Sequence, residues 1–168
     1  MEHQMMKAGQ DGRLADRQAI TDVLVQYCRA LDLMDLPALA ALFTDDCVVE
    51  YGPGEFLGSR GSAALQKSLE RMWRWSRTSH HLSNVLIRFE GDDDAVSSSY
   101  VHAWHERPDG STATIFGQYR DRFVRREEGW RISERRMFMN GCDAGFTVNI
   151  NRLDRTPPPP GWTAPDID

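Results

Sequence analysis

Proton-transfer chemistry needs a base that titrates near neutrality and a group that holds it in place, and this chain offers both at positions that read as inward-facing. The stretch from Thr78 to Phe89 contains the adjacent pair His80-His81. At period two, His81, Ser83, Val85, Ile87 and Phe89 share one face, and its apolar end predicts that this face looks into a core. His81 then stands at the edge of an apolar space, as a general base would. A core histidine with one satisfied hydrogen bond is the plainer reading of the same pattern. Upstream, Leu24, Cys28 and Asp32 step by four along a helical pattern, which carries Asp32 to the edge of the apolar stripe near the helix C-terminus. An unpaired carboxylate there is costly, disfavoured both by burial and by the helix dipole. Asp32 therefore calls for a partner, and His81 is the candidate; the plainer alternative is a turn residue.

Other polar side chains fall on the predicted inner faces of strands. Tyr51 shares a face with Val49. On a second strand Val96, Ser98, Tyr100, His102 and Trp104 alternate inward, and on a third Ile115, Gly117, Tyr119 and Phe123 do so. Aromatic packing explains each residue singly. Together, Asp32, Tyr51, His81, His102 and Tyr119 describe an enclosed, mostly apolar pocket with a few polar groups. His80, His81, His102 and His105 raise the question of metal. Neighbouring strand positions point to opposite faces, so one histidine from each pair plus Asp32 would be needed for a two-His-one-carboxylate site. Several of these histidines read as surface residues, and the expectation is no metal. No glycine-rich phosphate loop, GxSxG or HExxH occurs, so no cofactor is expected.

The positioning elements are legible from periodicity. Ile20, Val23, Leu24, Tyr27, Cys28 and Leu31 predict a helix, with Asp16 as its cap. Asp35-Leu36-Pro37 opens a short second helix. Asp46 to Tyr51 reads as a strand ended by Gly52-Pro53-Gly54. Ser62 starts a third helix through Leu65, Leu69, Met72 and Trp73, followed by Trp75, a lid or core face. Strands follow near residues 78–89, 95–106, 111–126 and 130–140, joined by turns at Gly91-Asp92-Asp93-Asp94, Arg107-Pro108-Asp109-Gly110 and Glu127-Glu128-Gly129. The class is α+β, with a curved antiparallel sheet closed by N-terminal helices. Residues 1–14 read as a loose arm, 15–140 as one domain, and 141–168 as an extended proline-rich tail.

Bulk properties narrow the function classes. The 168 residues, 40% hydrophobic and 27% charged, suffice for one real core and exclude a disordered chain. A net charge of −5 argues against nucleic-acid binding; Arg120-Asp121-Arg122 and Arg125-Arg126 read as solvated strand positions. Three widely spaced cysteines without CxxC, no signal-like N-terminus and no membrane-length apolar run point to a cytoplasmic chain without a membrane partner.

The segments Tyr27-Cys28-Arg29-Ala30-Leu31-Asp32-Leu33-Met34-Asp35, Leu42-Phe43-Thr44-Asp45-Asp46, Thr78 to Asn84 and Gly129-Trp130-Arg131-Ile132-Ser133 resemble the SnoaL-like branch of the nuclear transport factor 2-like, cystatin-like superfamily. The resemblance covers about Asp16 to Asn140. It implies a cone-shaped α+β barrel around a pocket, and it is nearest to scytalone dehydratase, hexachlorocyclohexane dehydrochlorinase and bile-acid dehydratase. By that resemblance Asp32 orients a catalytic His81, while Tyr51 and His102 match substrate-binding positions. The tyrosine expected just before the aspartate is replaced by Leu31, with Tyr27 one turn earlier. The implied activity is a cofactor-independent lyase or isomerase, dehydratase-like, acting on a hydrophobic cyclic or aromatic small molecule. A polyketide cyclase, or a non-catalytic subunit like the small subunits of ring-hydroxylating dioxygenases, is the alternative. A homotrimer or homodimer is also implied.

Overall fold

The computed structural model describes residues 2–54, 57–145, 150–151 and 157–163, with side-chain surroundings from Arg13 onward. Helix α1 spans Glu2–Asp32, α2 Leu36–Ala40 and α3 Ser62–Leu69, the last continued by a 3-10 turn, Glu70–Arg74. The strands are β1 Phe43–Glu50, β2 Gly58–Arg60, β3 Arg77–Phe89, β4 Asp94–Glu106, β5 Thr112–Arg126 and β6 Gly129–Ala144. They form one six-stranded sheet in the order β2-β1-β6-β5-β4-β3. The fold is the expected curved α+β sheet with its helices, with two differences. The sheet does not close into a barrel, because β2 and β3 remain its two edges, and β1 runs parallel to β6.

The segment expected as a loose arm carries the first turns of α1. Asp16 is consequently no cap: its carboxylate accepts from Trp130 Nε1 at 3.1 Å and pairs with Arg125 at 2.7 Å, fastening α1 to the sheet. The inner stripe Ile20, Val23, Leu24, Tyr27, Cys28 and Leu31 is buried as its periodicity predicts. Met34, in the left-handed region at φ 54°, ends the helix with Asp35 N–H donating to Ala30 O at 2.9 Å. Asp35 then caps α2 by accepting from Ala38 N–H at 3.1 Å. Strand β6 runs to Ala144, past the expected start of the tail. Asn151 O accepts from Met139 N–H at 2.7 Å, which lays the chain at 150–151 beside β6. Of the proline-rich tail, Pro157 to Thr163 is described and exposed.

Strand β4 turns its other face inward from the one expected. Ala95, Ser97, Ser99, Val101, Ala103 and His105 are buried, while Tyr100 and His102 face out. The reason lies across the ladder. Ala95 pairs with Phe123, Ser99 with Tyr119, Val101 with Gly117 and His105 with Ala113, so each bulky inner side chain faces a smaller one. Gly117 serves close approach of β5 and β6, since a Cβ there would lie 2.7 Å from Phe138 O.

Asp121, expected on a solvated face, is buried. It forms a two-pronged ion pair with Arg135, Nε to Oδ1 at 2.7 Å and Nη2 to Oδ2 at 2.9 Å, and both side chains are fully inaccessible. The Arg135 guanidinium lies 4.0 Å from the Tyr27 ring centroid and 4.2 Å from that of Tyr119. Removing one partner strands a charge in the core. Arg135→Met should therefore lower unfolding free energy by about 3–5 kcal/mol, and Asp121→Asn combined with Arg135→Met should recover much of that loss. Urea denaturation of the two variants checks this; equal stability of the single and double variants would refute the account.

Candidate functional site

Asp32, in the last turn of α1, accepts three hydrogen bonds from the start of β3. His80 Nδ1 lies 2.6 Å from Oδ1, the His80 backbone N–H donates to Oδ2 at 2.9 Å, and the Thr78 hydroxyl donates to Oδ1 at 2.8 Å. Burial pushes the Asp32 carboxyl up, but these donors and the imidazole's charge outweigh it and hold it below its ordinary value. The His80 side chain is only 4% exposed. With Nδ1 occupied by Asp32, the Nε2 edge of a ring lining the cavity is the one free to exchange a proton.

The imidazole beside Asp32 is thus His80, not His81. The cause is a bulge in β3. Up to Ser83 the partners on β4 follow one register, and from Leu86 onward they follow another, shifted by one extra residue in β3. Asn84, at φ 51°, occupies the irregularity. Inward alternation running back from Ile87 therefore flips across the bulge and lands on Leu82 and His80. His81 is exposed and its Nε2 lies 2.9 Å from Ser79 Oγ. It faces His102 across the ladder, ring centroids 6.3 Å apart, and His102 stacks on Phe116 at 5.0 Å. His81 and His102 belong together on the outer surface of the sheet, away from the cavity. His105, which sequence parity had placed outside, is the buried histidine of β4; its ring meets His80 edge-on at 5.3 Å and Trp75 at 4.9 Å. Burial, with repulsion from His80, pushes it down to about 4, so it is neutral at pH 7.

The cavity has a volume of about 370 Å³. His80, His105, Tyr27, Tyr51 and Tyr119 all contribute to its wall, with Leu31, Leu69, Met72, Trp75, Ile115 and Met137 supplying apolar surface. The structure therefore brings Asp32, Tyr27, Tyr51 and Tyr119 to one site and leaves out His81 and His102. Tyr27 and Tyr51 share a hydrogen bond at 2.7 Å between their hydroxyls. Burial raises the pKa of both, more so for Tyr51, against the pull of Arg135, so both stay protonated at neutrality. Two hydroxyls sharing one bond leave a second O–H free to donate elsewhere. His80 and His105 both face inward near Asp32, yet among the described residues no three His, Cys, Asp or Glu side chains are arranged to hold a metal. Sequence parity missed His80, His105 and Arg135. Period two counted back from Met139 and Met137 does reach Arg135 and could have found it.

A curved sheet cupping a pocket, with a carboxylate-held histidine in its wall, defines an α+β cone around a cavity of small-molecule size. The SnoaL-like domain model matches residues 12–136, and the chain belongs to that family. It is 31% identical to a Novosphingobium aromaticivorans chain provisionally described as a scytalone dehydratase, covering 88% of this chain and 99% of that one, with a TM-score of 0.80. A type 3 hexachlorocyclohexane dehydrochlorinase from Novosphingobium barchaimii shares the fold at 19% identity and a TM-score of 0.73, over 87% of this chain and 99% of that one. An uncharacterised Mycobacterium tuberculosis protein is 29% identical over 126 residues, 73% of this chain and 84% of its own. Among the described residues no helix is long and apolar enough to cross a membrane.

The depressed His105 has a sign that can be measured. The unfolded chain takes up a proton near pH 6.5 that the folded chain refuses until about pH 4. Stability should fall as pH drops through that window, by up to about 1.4 kcal/mol per pH unit from this group. His105→Gln should flatten the slope in thermal melts between pH 7 and pH 4, and an unchanged slope would refute the assignment. Asp32 contributes with the same sign, but only below its ordinary value of 3.8.

Proposed function

We propose that this protein is a cofactor-independent lyase or isomerase, dehydratase-like, acting on a hydrophobic cyclic or aromatic small molecule that bears a carbonyl. The observation that carries the proposal is the Asp32–His80 pair, 2.6 Å apart, in the wall of an apolar cavity that also holds the bonded Tyr27 and Tyr51 hydroxyls. In this reading His80 Nε2 removes the proton from the carbon beside the carbonyl. Asp32 fixes the tautomer and stabilises the imidazolium that forms. The free hydroxyl proton of the tyrosine pair donates to the carbonyl oxygen as negative charge builds on it. When the electrons return, the bond to a β-hydroxyl breaks, and the proton held on His80 can leave with it as water.

Similarity to a chain provisionally described as a dehydratase supports the class. The environment supports the division of roles. A tyrosine pair kept protonated by burial is a donor, a neutral His105 carries no competing cation, and His80 alone is oriented by an anion.

The test is turnover of cyclic β-hydroxy ketones, followed by absorbance of the conjugated enone. His80→Ala and Asp32→Asn should each lower the rate by about 10²–10⁴-fold, and His81→Ala should leave it within about twofold. Full turnover in His80→Ala would sink the mechanism. Ligand binding in the wild type without turnover of any such ketone would favour a non-catalytic binding role.

A further inference from the structure

Three guanidinium groups border the cavity in a chain whose net charge is −5. Arg71 and Arg74 come from the 3-10 turn after α3, and Arg107 follows β4. Arg74 is exposed and still lines the cavity, which places it where the cavity meets solvent. Arg71 is held in position: its Nη1 donates to Ser68 O at 2.6 Å and to the Ser68 hydroxyl, and the guanidinium lies 5.3 Å from the Tyr51 ring centroid. Arg74 and Arg107 lie 5.3 Å and 5.6 Å from the Trp75 ring centroid. Partial desolvation against the cavity rim, then repulsion from Arg71 and Arg107, depresses the Arg74 pKa, a sign that the three charges feel one another.

Among the described residues, the carboxylates nearest Arg71 and Arg74 in the chain and the cavity are engaged elsewhere. Glu70 pairs with Lys67 at 2.7 Å and Asp32 is committed to His80, while Asp109, bonded to Ser111, lies within the field of Arg107 rather than of the other two. Among the described residues neither Arg71 nor Arg74 has an ion-pair partner; their contacts are with Ser68 and with aromatic faces. Gathering like charges at the rim of an apolar cavity is unfavourable unless an anion comes to them.

We propose that Arg71 and Arg74 form an oxyanion subsite, so that the ligand is a cyclic apolar framework carrying a carboxylate or phosphate group. The framework would occupy the apolar wall and reach His80, and the anion would lie at the rim. This rests on the lyase reading for what happens at His80, but not for the binding of the anion. A cavity of about 370 Å³ suits a ligand of one or two rings.

Isothermal titration of the full chain with 2-naphthoate, 2-naphthyl phosphate and the neutral isostere 2-naphthamide tests the subsite. The wild type should bind an anionic probe about tenfold more tightly than the amide, and the gap should shrink as salt rises. The anion that wins tells a carboxylate borne by the ring from a phosphate borne on a carrier. Arg71→Met with Arg74→Met should abolish the preference and leave amide binding within about twofold. Should that double variant not fold, Arg74→Gln alone, at the exposed rim, should lose part of the preference. An amide bound as tightly as both anions, or a preference that survives these substitutions, overturns the subsite. Loss of preference alongside full turnover in His80→Ala would reject the lyase mechanism and leave the subsite standing. Absence of binding by all three probes would reject the subsite, while the lyase reading would still be decided by ketone turnover.

Discussion

The site depends on how Asp32 is satisfied. A carboxylate at the C-terminal end of a helix, on the core side, faces both the dipole and desolvation. It persists here because β3 supplies three donors within three residues: the Thr78 hydroxyl, the His80 backbone N–H and the His80 ring. The same contacts fasten the end of α1 to an edge strand of the sheet. They also fix the orientation of the imidazole, because the backbone bond and the ring bond to one carboxylate leave the ring little freedom to turn. Fold and chemistry thus share one anchor, and a substitution at Asp32 disturbs both.

A second charge lies in the interior, and it explains the shape of the aromatic wall. Arg135 is fully inaccessible, paired with Asp121 and placed against the faces of Tyr27 and Tyr119. A buried guanidinium survives desolvation only when its partners are close and well aimed, and the two-pronged carboxylate provides that. Tyr27 in turn meets Tyr119 edge-on at 5.8 Å and Phe43 at 6.0 Å, so the cation and three rings pack as one unit behind the cavity. That unit fixes the Tyr27 hydroxyl, and through it the bond to Tyr51. Inner positions on β4 are small because this cluster takes the space; Ser99 lies opposite Tyr119 for that reason.

Most of the fold was legible because periodicity is a local property. The α1 stripe, the Asp35 cap, the hairpins and the long strands all follow from spacing and turn residues, and Asp32, Tyr51 and Tyr119 were found by the same means. His80 was not legible, because alternation was carried from Ile87 back to His81 across a bulge at Asn84 that no glycine announces. His105 was missed for a different reason. On β4 both faces contain aromatic and small residues, so alternation alone has no sign, and only the partner strand decides it. Leucine-rich strands would have given the answer; Val96, Ser98, Tyr100, His102 and Trp104 opposite Ser97, Ser99, Val101, Ala103 and His105 do not. The parallel pairing of β1 with β6 was not legible either, since which strands meet is set by tertiary packing that no local pattern encodes.

The titratable groups around the cavity start from ordinary values that would let several of them compete for one proton, and their surroundings separate them. Asp32 is held ionised by its donors, so it orients but does not accept. Tyr27 and Tyr51 are held protonated by burial, so they donate. His105 is held neutral by the apolar wall and by its neighbour, which spares the pocket a second cation next to His80. What remains is one imidazole, His80, with an anion behind it and an apolar space in front of it, the ring to which the proposed mechanism assigns the proton transfer. The arginines at the rim complete the pattern from outside. Their field favours an anion at the entrance, while Asp32, the anion beside His80, has its charge satisfied by three donors of β3. In the proposed reaction an anionic ligand would be held at the rim with its uncharged framework toward His80, the orientation that proton removal from carbon requires.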